Sequence, residues 1–246
     1  MELTPISYEE IFKYSDIFNP ISLQTLQAAG KIANFAPGKA LADLGCGKGF
    51  PALFWASIFG VQVEGFDRSR TYVDYSNARA KLLNLSHLAC FFRQDLKSFA
   101  STKNYDVVAS LGVGAEVFGG RSSAFKFFRS LIKDDGVVLY GEPVWTSRPV
   151  KPEVLRALHC KEDTFLTLPE TRQQLRDLNL QELGLFVVSK EDWELYVRPP
   201  IIALQEIIKN KPDLAAEAQA FLADFRMEHE AAGRDWETIL WVLKPK

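Results

Sequence analysis

Three cysteines in 246 residues, Cys46, Cys90 and Cys160, are too few for a disulfide framework, and none stands in the Cys-x-x-Cys spacing of a structural zinc site. They read as small residues of the interior. No apolar run approaches the roughly 20 residues needed to cross a bilayer. Met1-Glu-Leu-Thr-Pro opens with neither a basic nor an apolar leader segment. We therefore expect a cytoplasmic protein with no membrane partner. No basic run is present either, and the formal net charge is −2. A nucleic-acid substrate ordinarily leaves a positive footprint, so composition argues against one without excluding a local patch. Internal repeats and low-complexity linkers are also lacking.

What remains is the composition of an ordinary globular protein, 47% hydrophobic and 24% charged. The length suits one large α/β domain or a domain with a lid. Its most informative stretch is Lys39–Asp67. A short apolar run, Ala40 to Leu44, enters a turn carrying Gly45, Gly47 and Gly49. An apolar helical pattern over Pro51–Phe59 follows, and then a second apolar run ending in Asp67. This is a strand–turn–helix–strand–acid unit, the first half of a nucleotide-binding sheet. Glycine lets the backbone approach a ligand and adopt positive φ. The following helix aims its free N–H groups at the same place. A carboxylate at the tip of the second strand accepts hydrogen bonds from two ribose hydroxyls, so a nucleoside is the natural ligand.

The glycines fall G-x-G-x-G, not in the G-x-G-x-x-G spacing of a dinucleotide site, and Asp43 stands two residues before the first. Asp43-Leu-Gly-Cys-Gly-Lys-Gly49 resembles motif I of the class I S-adenosylmethionine (SAM) methyltransferases. The resemblance implies a Rossmann-like, mostly parallel seven-stranded sheet with helices on both faces and an antiparallel last strand. It implies SAM as cofactor, with the loop facing the methionine end and ribose. Asp67 then binds ribose, and Arg68 either packs over the adenine face or is solvated. Asp95, ending the strand Leu88–Arg93, accepts from the adenine amino group, while the N–H beside it at Leu96 meets a ring nitrogen. The fourth strand, Tyr105–Gly112, leads into the Ser110–Gly114 stretch that lines the reaction centre and includes Leu111. This stretch lacks the Asn/Asp-Pro-Pro-aromatic motif of amino-directed nucleic-acid methyltransferases and the Pro-Cys of cytosine-C5 enzymes.

Further expectations follow along the chain. Residues 1–36 form an N-terminal helical segment, with a short amphipathic helix over Tyr8–Ser15, broken by Asp16–Pro20, and a second running from a Ser22 cap to about Phe35. Tyr14 and Asn19 lie there as possible pocket walls. Lys133–Gly136 reads as a tight turn into a fifth strand, Val137–Gly141, which Pro143 stops, placing Glu142 at the mouth of the pocket. Gly141-Glu-Pro-Val-Trp145 resembles the Gly-Glu-Pro-x-Trp run of an uncharacterised bacterial subgroup of the same family. A sixth strand spans Glu182–Ser189, and residues 190–233 form a helical cap insertion with helices over 201–209 and about 213–231. Asp235–Leu243 is the last strand. The whole chain, 1–246, is read as one methyltransferase domain.

The expected activity is methyl transfer from SAM to a small-molecule acceptor by in-line displacement, which needs no metal. Glu142 is the candidate base, and Glu142, Trp145, Trp193 and Tyr196 are the candidate substrate contacts. The acceptor atom and the oligomeric state are left open. A SAM-binding enzyme that transfers something other than methyl, or a non-catalytic SAM-binding partner protein, is the alternative.

Overall fold

The computed structural model describes residues 6–246. Seven strands form one sheet in the order β3-β2-β1-β4-β5-β7-β6. They are β1 (Ala40–Leu44), β2 (Gln62–Asp67), β3 (Ala89–Arg93), β4 (Tyr105–Leu111), β5 (Ile132–Trp145), β6 (Leu180–Val187) and β7 (Trp236–Pro245). Pairings from β3 through β5 are parallel, and β6 pairs antiparallel with β7. The expected architecture is therefore present. β4 is buried at every position, as a central parallel strand must be. The strand order reverses between β1 and β4, and a crevice opens beyond the carboxyl ends of strands at such a point.

The chain divides into two compact units. One, a sheet unit, comprises Ile21–Glu142, Arg172–Val187 and Ile239–Lys246. The other comprises the N-terminal residues up to Pro20 together with Pro143–Thr171 and Val188–Thr238.

In the sheet unit, α2 (Leu23–Ile32) starts at Ser22, whose hydroxyl accepts from the Thr25 N–H. The helix ends three residues before the expected Phe35, because Asn34 takes a positive φ of 56° and closes it. α3 (Phe50–Phe59) and α4 (Arg70–Leu82) connect the first three strands, and α5 (Arg121–Leu131) precedes β5. Lys133–Gly136 is not a turn outside β5. Ile132 already pairs with Tyr105, and the register then slips before Val137 pairs with Val107, so the charged residues form a bulge inside the strand.

The helical unit contains α1 (Tyr8–Ile11), α6 (Pro152–Ala157), α8 (Lys190–Asn210) and α9 (Ala215–Ala231). α7 (Leu168–Asp177) precedes β6. Pro143 does not end β5. The strand continues to Trp145 because Trp145 finds a new partner, donating its N–H to Leu166 O at 2.9 Å beside a bridge to Thr167. α8 departs further from expectation. Trp193, Tyr196 and the pair Pro199-Pro200 lie inside one 21-residue helix. Two prolines remove two helical hydrogen bonds. Against that loss, Trp193, Val197, Pro200, Leu204 and Ile207 recur at alternating spacings of four and three and are all buried. Leu204 and Ile207 join Ile11, Phe12 and Leu222 in one apolar cluster. Among the described residues, no helix is long and apolar enough to cross a membrane.

At the opposite end of the strands from the crevice, Asp106, the second residue of β4, is buried. Burial opposes its ionisation. Hydrogen bonds from Lys133 Nζ (2.8 Å), the Ala40 N–H (2.9 Å) and Lys39 Nζ (2.9 Å) outweigh that and hold its pKa at about 2. A depressed folded pKa stabilises the fold above the unfolded value of about 3.9 and ceases to do so as pH falls through the folded value. Urea titrations should therefore show stability falling between about pH 4 and pH 2. Asp106→Asn should be less stable at pH 7 and should lose that part of the acid dependence; an unchanged acid limb would remove Asp106 from the account.

Candidate functional site

The Gly-rich turn connects β1 to α3 at the reversal in strand order. Gly45 and Cys46 both donate their N–H to Phe66 O, at 2.8 and 3.1 Å, which ties the turn to the end of β2. Gly47 donates to Asp67 Oδ2 at 2.9 Å, and the Ser69 N–H donates to Asp67 Oδ1 at 2.8 Å. Each oxygen of the carboxylate is thus held by one backbone N–H and keeps a lone pair free. Ser76, buried on α4, places its hydroxyl 3.1 Å from Gly47 O and 2.8 Å from Tyr72 O. Lys48 is buried beside the turn, with its ammonium 5.1 Å from the centre of the Tyr75 ring.

Two glycines of the turn admit no side chain. Gly45 has φ 73°, and a Cβ there would lie 2.1 Å from Val113 Cγ2. Gly49, the N-cap of α3, has φ 70°, and its Cβ would meet the Phe91 ring at 2.8 Å. Val113, within the Ser110–Gly114 stretch that the sequence reading placed at the reaction centre, is a wall of the turn.

Asp43, at 3% exposure, lies under the turn on β1. Burial, and after it the neighbouring Asp67 carboxylate, raise its pKa to about 7. Arg68 is exposed, and its carbonyl accepts from Arg93 Nε at 3.3 Å. Asp95 is exposed and caps a single 3-10 turn, Leu96–Ser98, accepting from the Lys97 N–H at 2.9 Å. Leu111 is buried at the end of β4, immediately before Gly112. The structure thus brings Asp43, the glycine turn and Asp67 into one hydrogen-bonded assembly, with Asp95 at the end of the next strand over.

Glu142 is not at an open mouth. Only 5% exposed, its Oε2 accepts from Arg121 Nη2 in a buried ion pair, and Arg121 also donates to Gln174 Oε1 at 3.2 Å. Burial pushes the Glu142 carboxyl above its ordinary range, against the opposing pull of Arg121. Burial and Glu142 together push the Tyr140 hydroxyl up as well. Glu142 Oε1, Arg121 Nε and the buried Ser110 hydroxyl have no hydrogen-bond partner. Arg121 escaped the sequence reading. It stands in the first turn of α5, where a positive charge opposes the helix dipole, and that position was the available hint that a carboxylate holds it.

Trp145 is 1% exposed and donates its indole N–H to Glu162 O at 2.8 Å. Its ring packs against Phe165. The structure therefore places it in a core rather than on an accessible wall. Trp193 and Tyr196 pack against each other within the helical unit, ring centroids 5.0 Å apart. Tyr14 is half exposed, and its hydroxyl donates to Glu206 at 2.7 Å.

Residues 41–136, which carry the turn, Asp67 and Asp95, match the model of a methyltransferase domain family. These residues form a methyltransferase domain. It is 27% identical over 209 residues to the uncharacterised protein YjhP of Escherichia coli (strain K12), covering 84% of each chain. The X-ray structure of YjhP matches with a TM-score of 0.87 at 24% identity, over 97% of this chain and 98% of that one. A SAM-dependent methyltransferase from Geobacter sulfurreducens, crystallised with S-adenosylhomocysteine (SAH), matches with a TM-score of 0.89 at 24% identity. One from Thiobacillus denitrificans, also with SAH, matches with 0.87 at 23% identity. Both comparisons cover the whole of both chains, and at these identities they establish the shared fold.

The ion pair gives this methyltransferase a testable stability signature. Removing one member of a buried pair strands the other, at a cost of about 3–5 kcal/mol. Arg121→Met should destabilise by that order in denaturant titrations, and Arg121→Met with Glu142→Gln should recover part of the loss. A double variant no better than the sum of the singles would contradict the coupling.

Proposed function

We propose that the chain transfers a methyl group from SAM to a small-molecule acceptor, with Asp43, Gly45, Gly47, Gly49, Asp67, Arg68, Asp95, Leu96 and Leu111 around the cofactor. One observation carries this assignment. The Asp67 carboxylate is fixed by two backbone N–H groups beside a turn with glycine at every second position, and so presents its remaining lone pairs as a ready acceptor for two adjacent hydroxyls. The site's donors and acceptors fit an adenosine ribose. The exposed Asp95 carboxylate and the Leu96 backbone one strand over suit the adenine edge.

When bound, SAM supplies an electrophilic methyl carbon on a cationic sulfur. The chain's own task is to align a nucleophile behind that carbon and keep water away. A base is needed only if the nucleophile carries a proton that must leave. Glu142 is the candidate by its place near the carboxyl end of β5, with Arg121 holding one of its oxygens. Trp193 and Tyr196 are the candidate acceptor contacts, whereas Trp145 has committed both ring and N–H to packing.

In calorimetry, Asp67→Ala should weaken SAM and SAH binding by about 1–3 kcal/mol, the cost of leaving hydroxyls unpaired. Unchanged affinity would remove the ribose assignment. Asp43 supplies a second test. Its raised pKa means it is partly protonated near pH 7, and a cation bound close by favours the ionised form. SAM binding at pH 7 should therefore release protons, read as a dependence of the binding enthalpy on buffer ionisation heat. SAH, whose sulfur is neutral, should release fewer, and Asp43→Asn should abolish the difference.

A further inference from the structure

Glu228, on α9 in the helical unit, is a carboxylate that no cation serves. It is only partly buried, yet no lysine, arginine or histidine among the described residues offsets its charge. Burial, and after it the Asp224 carboxylate one turn earlier on the same helix, raise its pKa to about 8. Asp224 is itself committed, its Oδ2 lying 3.0 Å from His159 Nε2. Glu228 has no such partner. Tyr8 on α1 and Tyr196 on α8 bring their hydroxyls within electrostatic reach of it, as does the Cys160 thiol.

The rings around it form one array. Tyr8 stacks on Phe12 with centroids 4.7 Å apart, Phe12 lies 6.0 Å from Tyr196 and 6.1 Å from Phe225, and Tyr196 lies 5.0 Å from Trp193. Phe225 precedes Glu228 by three residues on α9, so the two share a helix face. Two apolar clusters of the helical unit, one around Phe12 and Leu204 and one around Trp145 and Trp193, meet on Tyr196, Ile201 and Phe225. None of these three is fully buried, and Tyr8 is 64% exposed. The seam between the clusters is therefore accessible where Glu228 and the rings come together.

An unpaired carboxylate selects positive charge. Aromatic faces select it too, through the ring quadrupole, and they also receive methyl and methylene groups. A metal ion is a poor match, because it needs several ligands, and no group of three or more His, Cys, Asp or Glu able to hold one occurs among the described residues. We propose that Glu228 and the rings of Tyr8 and Tyr196 form a subsite for a small organic ammonium, its charge against the carboxylate and its carbon substituents against the rings. As a binding site it stands on residues of the helical unit alone. As the charge class of the methyl acceptor it rests on the reading of Tyr196 as an acceptor contact.

The test titrates the full chain with choline chloride in a calorimeter, at ionic strength held constant with sodium chloride. Choline should bind saturably. Neohexanol, its neutral isostere with carbon in place of nitrogen, should bind about tenfold more weakly or worse. Glu228→Gln, nearly the same shape, should weaken choline binding about tenfold. Tyr8→Leu, at an exposed position, should weaken it about fivefold, and Tyr8→Phe, which keeps the ring, should not. The wild-type affinity should rise as the pH passes through about 8, where Glu228 ionises, and that of Glu228→Gln should stay level. Tyr8, Tyr196 and Cys160 titrate at higher pH and do not contribute to that rise. Glu228→Gln should keep its urea midpoint, because it removes a charge that burial disfavours, so its lost affinity is not a lost fold. No saturable binding of choline or of tetramethylammonium, equal affinity for neohexanol, or unchanged affinity in Glu228→Gln would each overturn the proposal. SAH affinity measured on the same samples separates the two readings. SAH bound without choline strikes out the subsite alone, and choline bound without SAH strikes out the cofactor assignment alone.

Discussion

The clamp between Asp67 and the main chain of the Gly-rich turn is the constraint on which the site depends. A turn of three positive-φ glycines has little conformational preference of its own. It is held because Phe66 O takes two of its amides and the Asp67 carboxylate a third, so the end of one strand dictates the shape of the loop after its neighbour. The same carboxylate also binds the Ser69 N–H at the entry to α4, which joins two loops through one side chain. Ser76 secures the turn from the helix side. Ligand-facing geometry is thus fixed before any ligand arrives, which lowers the entropy lost on binding.

This arrangement carries an electrostatic tension. The Asp67 carboxylate disfavours the charge of Asp43, and Asp43 is too buried for water to relieve it. A fold selected for stability alone would place an apolar residue at the end of β1. Methyltransferases that bind a sulfonium cation have reason to keep negative potential there, and local instability at functional positions is a common signature of such compromises.

How much of this was legible in the sequence depended on the range of the interaction responsible. Strand positions followed from local apolar runs punctuated by glycine and aspartate, because β1 and β4 lie within the sheet and are buried at nearly every position; the arrangement of the strands came from the family resemblance. The glycine turn and Asp67 were equally legible, since their spacing reflects backbone sterics. Arg121 was not, because its partner Glu142 is 21 residues away and is reached only through tertiary packing. Trp145 was misplaced for a related reason. An aromatic residue after a strand can face either a ligand or a core, and only the Leu166–Thr167 partner and the Glu162 carbonyl decide between them. Glu228 was no more legible, because Tyr8 and Tyr196 approach it from α1 and α8.

The paired prolines of α8 have a consequence for how the molecule is assembled. Without amides at Pro199 and Pro200, the carbonyls of Leu195 and Tyr196 have no helical donor to meet, so a nascent chain gains nothing locally by propagating helix through that point. Continuity across it is conferred by long-range burial, in which residues from α1 and α9 close around Leu204 and Ile207. Helix through Pro199 and Pro200 is therefore held by tertiary burial rather than by local hydrogen bonding. Ile6, Ile11 and Phe12 thus find their apolar partners in a segment some two hundred positions later in the chain.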